Sequence, residues 1–507
     1  MSTAPCLMVQ GTASGVGKSL LAAAFCRIFA RAGYRVAPFK SQNMALNAAV
    51  TLDGGEIGRA QAAQAAAAGI EPTVDMNPIL LKPEPGDRSQ VVVRGRAVTS
   101  VTWREYQRMQ AELLPIVDES LARLRRARDL VIIEGAGSPA EINLRESDIV
   151  NMTIARMADA PVLLVGDIDH GGVFAALLGT LALLEPADRA RVGGLVVNRF
   201  RGDRTVLTPG LAELAARAGV PVLGVVPYLE ARLVPSEDSL DLDERSAWGA
   251  PGALDVVVVR LPLISNFDDF EPLAAEPDVR VRFVREAGEI RDADVIVLPG
   301  SKATVADLNW LFATGLAQAI RRAAGDGRPI VGVCGGYQML GEAVVDPECV
   351  ESAARSAPGL GLLPVVTTFA PGKTTVRVRA RVARAAGPFS GAAGSEVSAY
   401  EIHAGRTSAS SPTPFTIVER GGGTVREDDG AVSAAGNVVG TYLHGLFAND
   451  ALRRAFLCSL AARKGIAADP RWGTPAGDRY ERLADAVARA VDIGTVAKLV
   501  GLSFPRS

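Results

Sequence analysis

Residues 11–19, Gly11-Thr12-Ala13-Ser14-Gly15-Val16-Gly17-Lys18-Ser19, follow the apolar run Leu7-Met8-Val9 and open an Ala- and Leu-rich helical stretch. A glycine-rich turn at a strand-to-helix junction lets backbone N–H groups and a helix N-terminus converge on phosphate oxygens. Gly11, Gly15 and Gly17 permit the close backbone approach, and Thr12 and Val16 fill the loop between them. Lys18 supplies positive charge to the terminal phosphates, and the Ser19 hydroxyl is a ligand for Mg2+. The strict pattern wants glycine at Thr12, and here it stands one place earlier, at Gly11. Such a loop demands a parallel sheet, with the ligand at the carboxyl ends of its strands.

The remainder of the chain meets that demand. Short buried-strand runs at residues 7–9, 131–133, 162–165, 195–197 and 222–225 alternate with helical stretches at 20–32, 57–68 and 103–127. Residues 239–253 carry Asp, Glu, Gly and Pro with little apolar periodicity, which places a domain boundary near 250. A second series follows, with strands at 256–259, 295–298 and 330–333 and a helix at 316–324. Residues 370–435 read as antiparallel strands and loops on the edge of that second domain. The expected architecture is α/β with two doubly wound domains, 1–248 and 252–450, and a helical tail, 451–507, packed on the second.

Of the 507 residues 48% are hydrophobic and 22% charged, and the formal net charge is −2, so neither disorder nor a nucleic-acid-binding surface is advertised. No apolar stretch approaches the ~20 residues that span a bilayer. Five scattered cysteines form no disulfide framework, which suits a reducing cytoplasm. Small-molecule partners are expected, with no nucleic acid and no membrane; the sequence leaves the oligomeric state open.

Residues 330–341, Ile-Val-Gly-Val-Cys-Gly-Gly-Tyr-Gln-Met-Leu-Gly, run a strand into Cys334, two glycines and a helix. A turn of this kind lifts a thiol out of the sheet, and the helix N-terminus favours its thiolate. A thiolate attacking an amide needs a proton donor for the departing ammonia. Only three histidines are present. His444, between an apolar run and a turn, is the expected donor; His403 is its rival, and His170 belongs to the first domain. Gly300 and the N–H of Gly335 are expected to form an oxyanion hole. In the first domain, Glu134 ends a strand and faces the ligand crevice, and the Asn198 amide is expected to read an adenine edge.

The displaced glycine of the loop resembles dethiobiotin synthetase and its P-loop NTPase-like relatives. That resemblance assigns Lys40 as a second phosphate-binding lysine and Glu56 and Glu134 as magnesium-binding acids beside Ser19. The order of Gly300, Cys334 and His444 resembles class I glutamine amidotransferases, which implies glutamine as ammonia donor. Many of those enzymes carry Glu two residues after the histidine, where this chain has Leu446, so an orienting carboxylate must come from elsewhere or be absent. ATP activation of a carboxylate in one domain and ammonia release in the other would together make an amide, through an acyl phosphate.

Residues 39–47 (Phe-Lys-Ser-Gln-Asn-Met-Ala-Leu-Asn), 76–83, 134–144, 167–174 and 265–270 (Ser-Asn-Phe-Asp-Asp-Phe) resemble the cobyric acid synthase family of cobalamin biosynthesis. The resemblance implies amidation of the b, d, e and g carboxylates of adenosylcobyrinic acid a,c-diamide, with Asn43, Asn47, Asn143 and Arg145 as candidate corrinoid contacts. His170 stands where Arg is expected. Two alternatives stay in view. One is an a,c-diamide synthase, opposed by residues 41–47 and 138–144. The other is a partition-type regulatory ATPase with an inert second domain, opposed by Ala13, where those ATPases carry lysine.

Overall fold

Strands rich in Val, Ile and Leu build the centre of each half, because side chains covered on both faces leave no place for polar alternation. The computed structural model describes residues 3–504 except 230–232, 236–241, 243–246, 250–251, 353, 385–386 and 475–476. Most of the expected boundary segment, 239–253, therefore lies outside the described residues.

In the first domain six parallel strands run in the order Val222–Pro227, Val192–Phe200, Val162–Asp167, Cys6–Gly11, Leu130–Glu134, Val36–Phe39. Cys6–Gly11 and Leu130–Glu134 are neighbours, with Val9 opposite Glu134, so the phosphate loop and that carboxylate leave the sheet side by side. The sequence reading passed over a four-stranded sheet, Gln42–Met44, Ile79–Glu84, Arg88–Val93 and Arg96–Thr102. The helix Trp103–Ala127 begins where expected, capped by Thr102 and Glu105.

The second domain holds a seven-stranded sheet whose central members, Val279–Val284, Leu254–Val259, Val295–Leu298, Ile330–Val333 and Val438–Thr441, are parallel, with antiparallel edges. The expected antiparallel region is a long hairpin, Val365–Val382 with Glu396–Ala409, extended by Phe415–Arg420 and Gly423–Asp429.

The tail departs from expectation. Asp450–Lys464 packs on the second domain, with Leu452, Phe456, Leu457 and Leu460 in its core. Arg479–Ala490 and Ile493–Leu499 return instead to the first domain. Leu483, Ala484 and Val487 are buried against the helix Lys18–Arg31, and Arg27 and Arg31 pair with Glu481 and Asp485. Glycine makes room for them, since a Cβ on Gly224 would lie 2.5 Å from the Ala490 carbonyl oxygen. Each fully buried Leu or Val there contributes about 1.5–3 kcal/mol. Among the described residues no helix is long and apolar enough to cross a membrane.

Candidate active sites

Gly17, at φ 99°, closes the phosphate loop and caps the helix Lys18–Arg31. A Cβ there would lie 2.1 Å from Asn198 Nδ2, so only glycine fits. Lys18 Nζ donates to the carbonyl oxygens of Ala13 (2.8 Å) and Gly137 (2.9 Å), folding its charge over the loop. Glu134 Oε1 accepts from Ser19 Oγ at 2.8 Å and Lys40 Nζ at 2.9 Å, while Gln64 donates to Oε2. Burial opposes ionisation of Glu134, yet the Lys40 charge and these hydrogen bonds hold its carboxyl below the usual range. The structure thus gathers Lys18, Ser19, Lys40 and Glu134 at one point. Asn198 sits beside them, but its Nδ2 donates to the Val16 carbonyl at 2.8 Å and so fastens the loop.

Ser19 and Glu134 fit a magnesium ion that takes its other ligands from phosphates and water. The described residues hold no cluster of three or more His, Cys, Asp or Glu able to bind a metal on their own, and Mg2+ is commonly held by one or two protein oxygens plus nucleotide. Glu56 departs from its expected role. Its buried carboxylate pairs with Lys82 and, at 2.6 Å, with Lys373 of the second domain. Burial opposes its charge, but the two lysines hold its pKa near 2.

The candidate corrinoid contacts divide in two. Asn43 and Asn47 are buried, with Asn43 donating to Gln61 (3.1 Å) and Asn47 accepting from the Phe267 N–H (3.3 Å), so both serve packing and domain contact. Asn143 and Arg145 are exposed on the turn Ile142–Ser147. Arg145 borders a cavity of about 210 Å³, also lined by Gln42, Trp103, Gly137 and Glu141, adjoining the phosphate site. Arg145 pairs with Glu185, and exposed His170 lies 3.2 Å from Asp167.

In the second domain Cys334 sits at φ 53°, ψ −109°, a strained position for a non-glycine residue, at the start of the helix Gly335–Leu340. Neighbouring glycines allow that turn, since a Cβ on Gly336 would lie 2.0 Å from the Leu298 carbonyl oxygen. A Cβ on Gly335 would lie 2.8 Å from the Ser301 nitrogen, and one on Gly300 3.1 Å from His444 Cε1. The two expected oxyanion segments therefore meet beside the histidine.

His444 Nδ1 lies 2.7 Å from Asp269 Oδ2, and the Cys334 thiol donates to the Ile402 carbonyl at 3.4 Å. Tyr400 stacks on the imidazole, with centroids 5.2 Å apart. Burial works to discharge the ring, but the charges of Asp269 and Cys334 and their hydrogen bonds outweigh it and raise the His444 pKa to about 10. The rival His403 is bound to the Gly405 carbonyl and stacked on Tyr442, and Leu446 is a core residue. The orienting carboxylate is Asp269, which the sequence reading passed over. Its signal was the Asp268–Asp269 pair within the family-like stretch 265–270.

Residues 7–239 match the CobQ/CobB/MinD/ParA nucleotide binding domain, and residues 255–452 match the CobB/CobQ-like glutamine amidotransferase domain. Cobyric acid synthase of Sorangium cellulosum is 56% identical over 521 residues, spanning 99% of both chains. The chain belongs to the cobyric acid synthase family. The cobyric acid synthases of Pelotomaculum thermopropionicum and Dehalococcoides mccartyi are each 50% identical, over 514 and 491 residues. They cover 99% and 97% of this chain, and the matches span 98% and 97% of the relatives. The Cys334, His444 and Asp269 site further opposes the partition-type ATPase, since an inert domain would have no use for it.

Proposed function

We propose that this chain is an ATP- and glutamine-dependent amide synthase acting on the b, d, e and g carboxylates of adenosylcobyrinic acid a,c-diamide. The observation that carries this reading is the presence, in one chain, of a phosphate-binding cluster and a complete Cys–His–Asp array.

The Cys334 thiolate attacks the side-chain amide carbon of glutamine. The N–H groups of the 300 and 335 segments receive the developing oxyanion, and imidazolium His444 gives its Nε2 proton to the departing ammonia. Water, deprotonated by His444, then cleaves the glutamyl thioester and releases glutamate. In the first domain Lys18 and Lys40 neutralise phosphate charge, and Ser19 and Glu134 would hold Mg2+, which supplies further charge neutralisation. Transfer of the terminal phosphate to a corrinoid carboxylate gives an acyl phosphate, and ammonia displaces inorganic phosphate to leave the amide. The Arg145 cavity, next to the loop, is the expected seat of the carboxylate side arm. All five cysteines are unpaired, which suits a reducing cytoplasm.

The test is stoichiometry. Purified protein with ATP, Mg2+, glutamine and the a,c-diamide should release one ADP and one glutamate for each carboxylate converted, followed by mass on the corrinoid. ATP turnover without corrinoid or glutamine consumption would overturn the reading.

A further inference from the structure

Asp269 rides on the turn at residues 265–270, and the first domain grips that turn at three points. The Phe267 N–H donates to Asn47 Oδ1 (3.3 Å), the Ala48 N–H donates to Asn266 Oδ1 (3.0 Å), and Arg59 Nε lies 2.5 Å from Asp268 Oδ2. Asn266 itself is left-handed, at φ 52°, which fixes the direction in which the two acids leave the turn. Asp268 is 4% exposed, and neither carboxylate oxygen accepts a hydrogen bond among the described residues. Arg59 is thus the cation in direct contact with a buried carboxylate one residue from the acid that orients His444. Burial pushes the Asp268 carboxyl up, and the Arg59 charge works against that rise.

Arg59 also begins the helix Arg59–Ala67, and the same short helix carries Gln61 and Gln64. Both of those donate to Glu134 Oε2, whose partner oxygen receives Ser19 and Lys40. At about 1.5 Å rise per residue, roughly 7.5 Å of helix separates the residue facing the glutaminase from the one facing the phosphate cluster. Ala60, Ala63, Ala65 and Ala67 bury the rest of the helix, which leaves it little freedom except to move as a unit. The two sites share an apolar seam as well, where Ala48, Val50 and Leu80 pack on Tyr400 and Ile402. Ile402 offers its carbonyl to Cys334 Sγ at 3.4 Å.

We propose that Arg59 is a positioning residue for the glutaminase, linking occupancy of the phosphate cluster through its helix to the Asp268–Asp269 turn and so to His444. Ligands at Glu134 redraw the hydrogen bonds of Gln61 and Gln64, the helix shifts, and Arg59 sets the turn that aims Asp269. Glutamine is then hydrolysed at full rate when the first domain is loaded with nucleotide and corrinoid.

This rests on the amide-synthase reading above, and the test separates the two. Glutaminase kcat and KM are measured with and without ATP, Mg2+ and the a,c-diamide, for wild type, Arg59→Met, Arg59→Lys and Asp268→Asn, alongside amidation driven by ammonium. Wild type is expected to show stimulation of about 5- to 150-fold, the usual span of coupling between sites. Arg59→Met and Asp268→Asn should cut that stimulation below about twofold through kcat rather than KM, with ammonium-driven amidation within about twofold of wild type, and Arg59→Lys should recover part of it. Unstimulated wild type, wild-type stimulation in Arg59→Met and Asp268→Asn, or parallel loss of ammonium-driven amidation in both, would overturn the proposal. Failure of the wild type to use ammonium at all would instead bring down the reading of the first domain, and the proposal with it.

Discussion

The two sites are built on opposite plans. At the phosphate cluster several donors share one carboxylate, with Ser19 and Lys40 both on Glu134 Oε1, and Lys18 is turned onto backbone carbonyls. At the glutaminase a single file of groups, Asp269 to His444 to Cys334, fixes one proton at one place. A polyanion that changes shape during transfer is best met by several cations, whereas expelling ammonia needs one donor aimed at one nitrogen. Losing a member of the cluster should therefore remove the synthase half for either nitrogen source. Losing a member of the file should spare amidation from ammonium.

The sharpest break in that contrast comes from Lys18→Ala. Amidation from both glutamine and ammonium is expected to fall below detection, while unstimulated glutamine hydrolysis persists, measured as glutamate release without ATP. Next come His444→Gln, expected to lower glutamine-dependent turnover by about 10²–10⁴-fold, and Asp269→Asn, expected to cost a smaller part of it, about 10–10²-fold. The latter carries a pH signature. His444 is held at about 10 chiefly by the Asp269 charge working against burial, so it stays protonated through neutral pH. Without that charge burial lowers the imidazole pKa, and the alkaline limb of glutaminase kcat should move to lower pH. An unmoved limb would show that Asp269 does not set the proton.

Smaller effects probe the frame. Leu483→Ala empties a fully buried position between the tail and the helix Lys18–Arg31, and should cost about 2–5 kcal/mol, read as a lowered unfolding midpoint. A tail resting on the second domain alone would show no such effect on the first domain's unfolding. The smallest change is expected from His170→Arg, since His170 is exposed and the neighbouring Asp167 carboxylate already pairs with Arg199; amidation rates should stay within about twofold.

What the sequence disclosed, and what it hid, follows the range of the interactions. The phosphate loop and the Cys334 turn were legible because each is a local strand–turn–helix pattern whose glycines answer to contacts a few residues away. His444 was reached by chemistry and scarcity. Asp269 was not, because it lies 175 residues before His444 and nothing local to the stretch 265–270 says which side chain it orients. Glu56 has the residue type of a metal ligand, but the lysine that claims it, Lys373, is 317 residues away across the domain contact. The tail helices show a clear apolar stripe in Leu483, Ala484 and Val487, yet a stripe does not say which surface it covers. The decision came from glycines at 193 and 224, far upstream, that leave space for Leu499 and Val491. The strands at Ile79–Glu84, Arg88–Val93 and Arg96–Thr102 were missed because the last two are only partly buried and show no clean alternation.

The central claim is that each half-reaction belongs to its own residues within one chain. The most direct test follows mass gain on the corrinoid with Cys334→Ala, ATP and Mg2+, supplied in parallel with glutamine or with ammonium. Amides formed from ammonium at near the wild-type rate, and none from glutamine, are the expected result. Amide formation from glutamine by Cys334→Ala, or failure with both nitrogen sources, would contradict it.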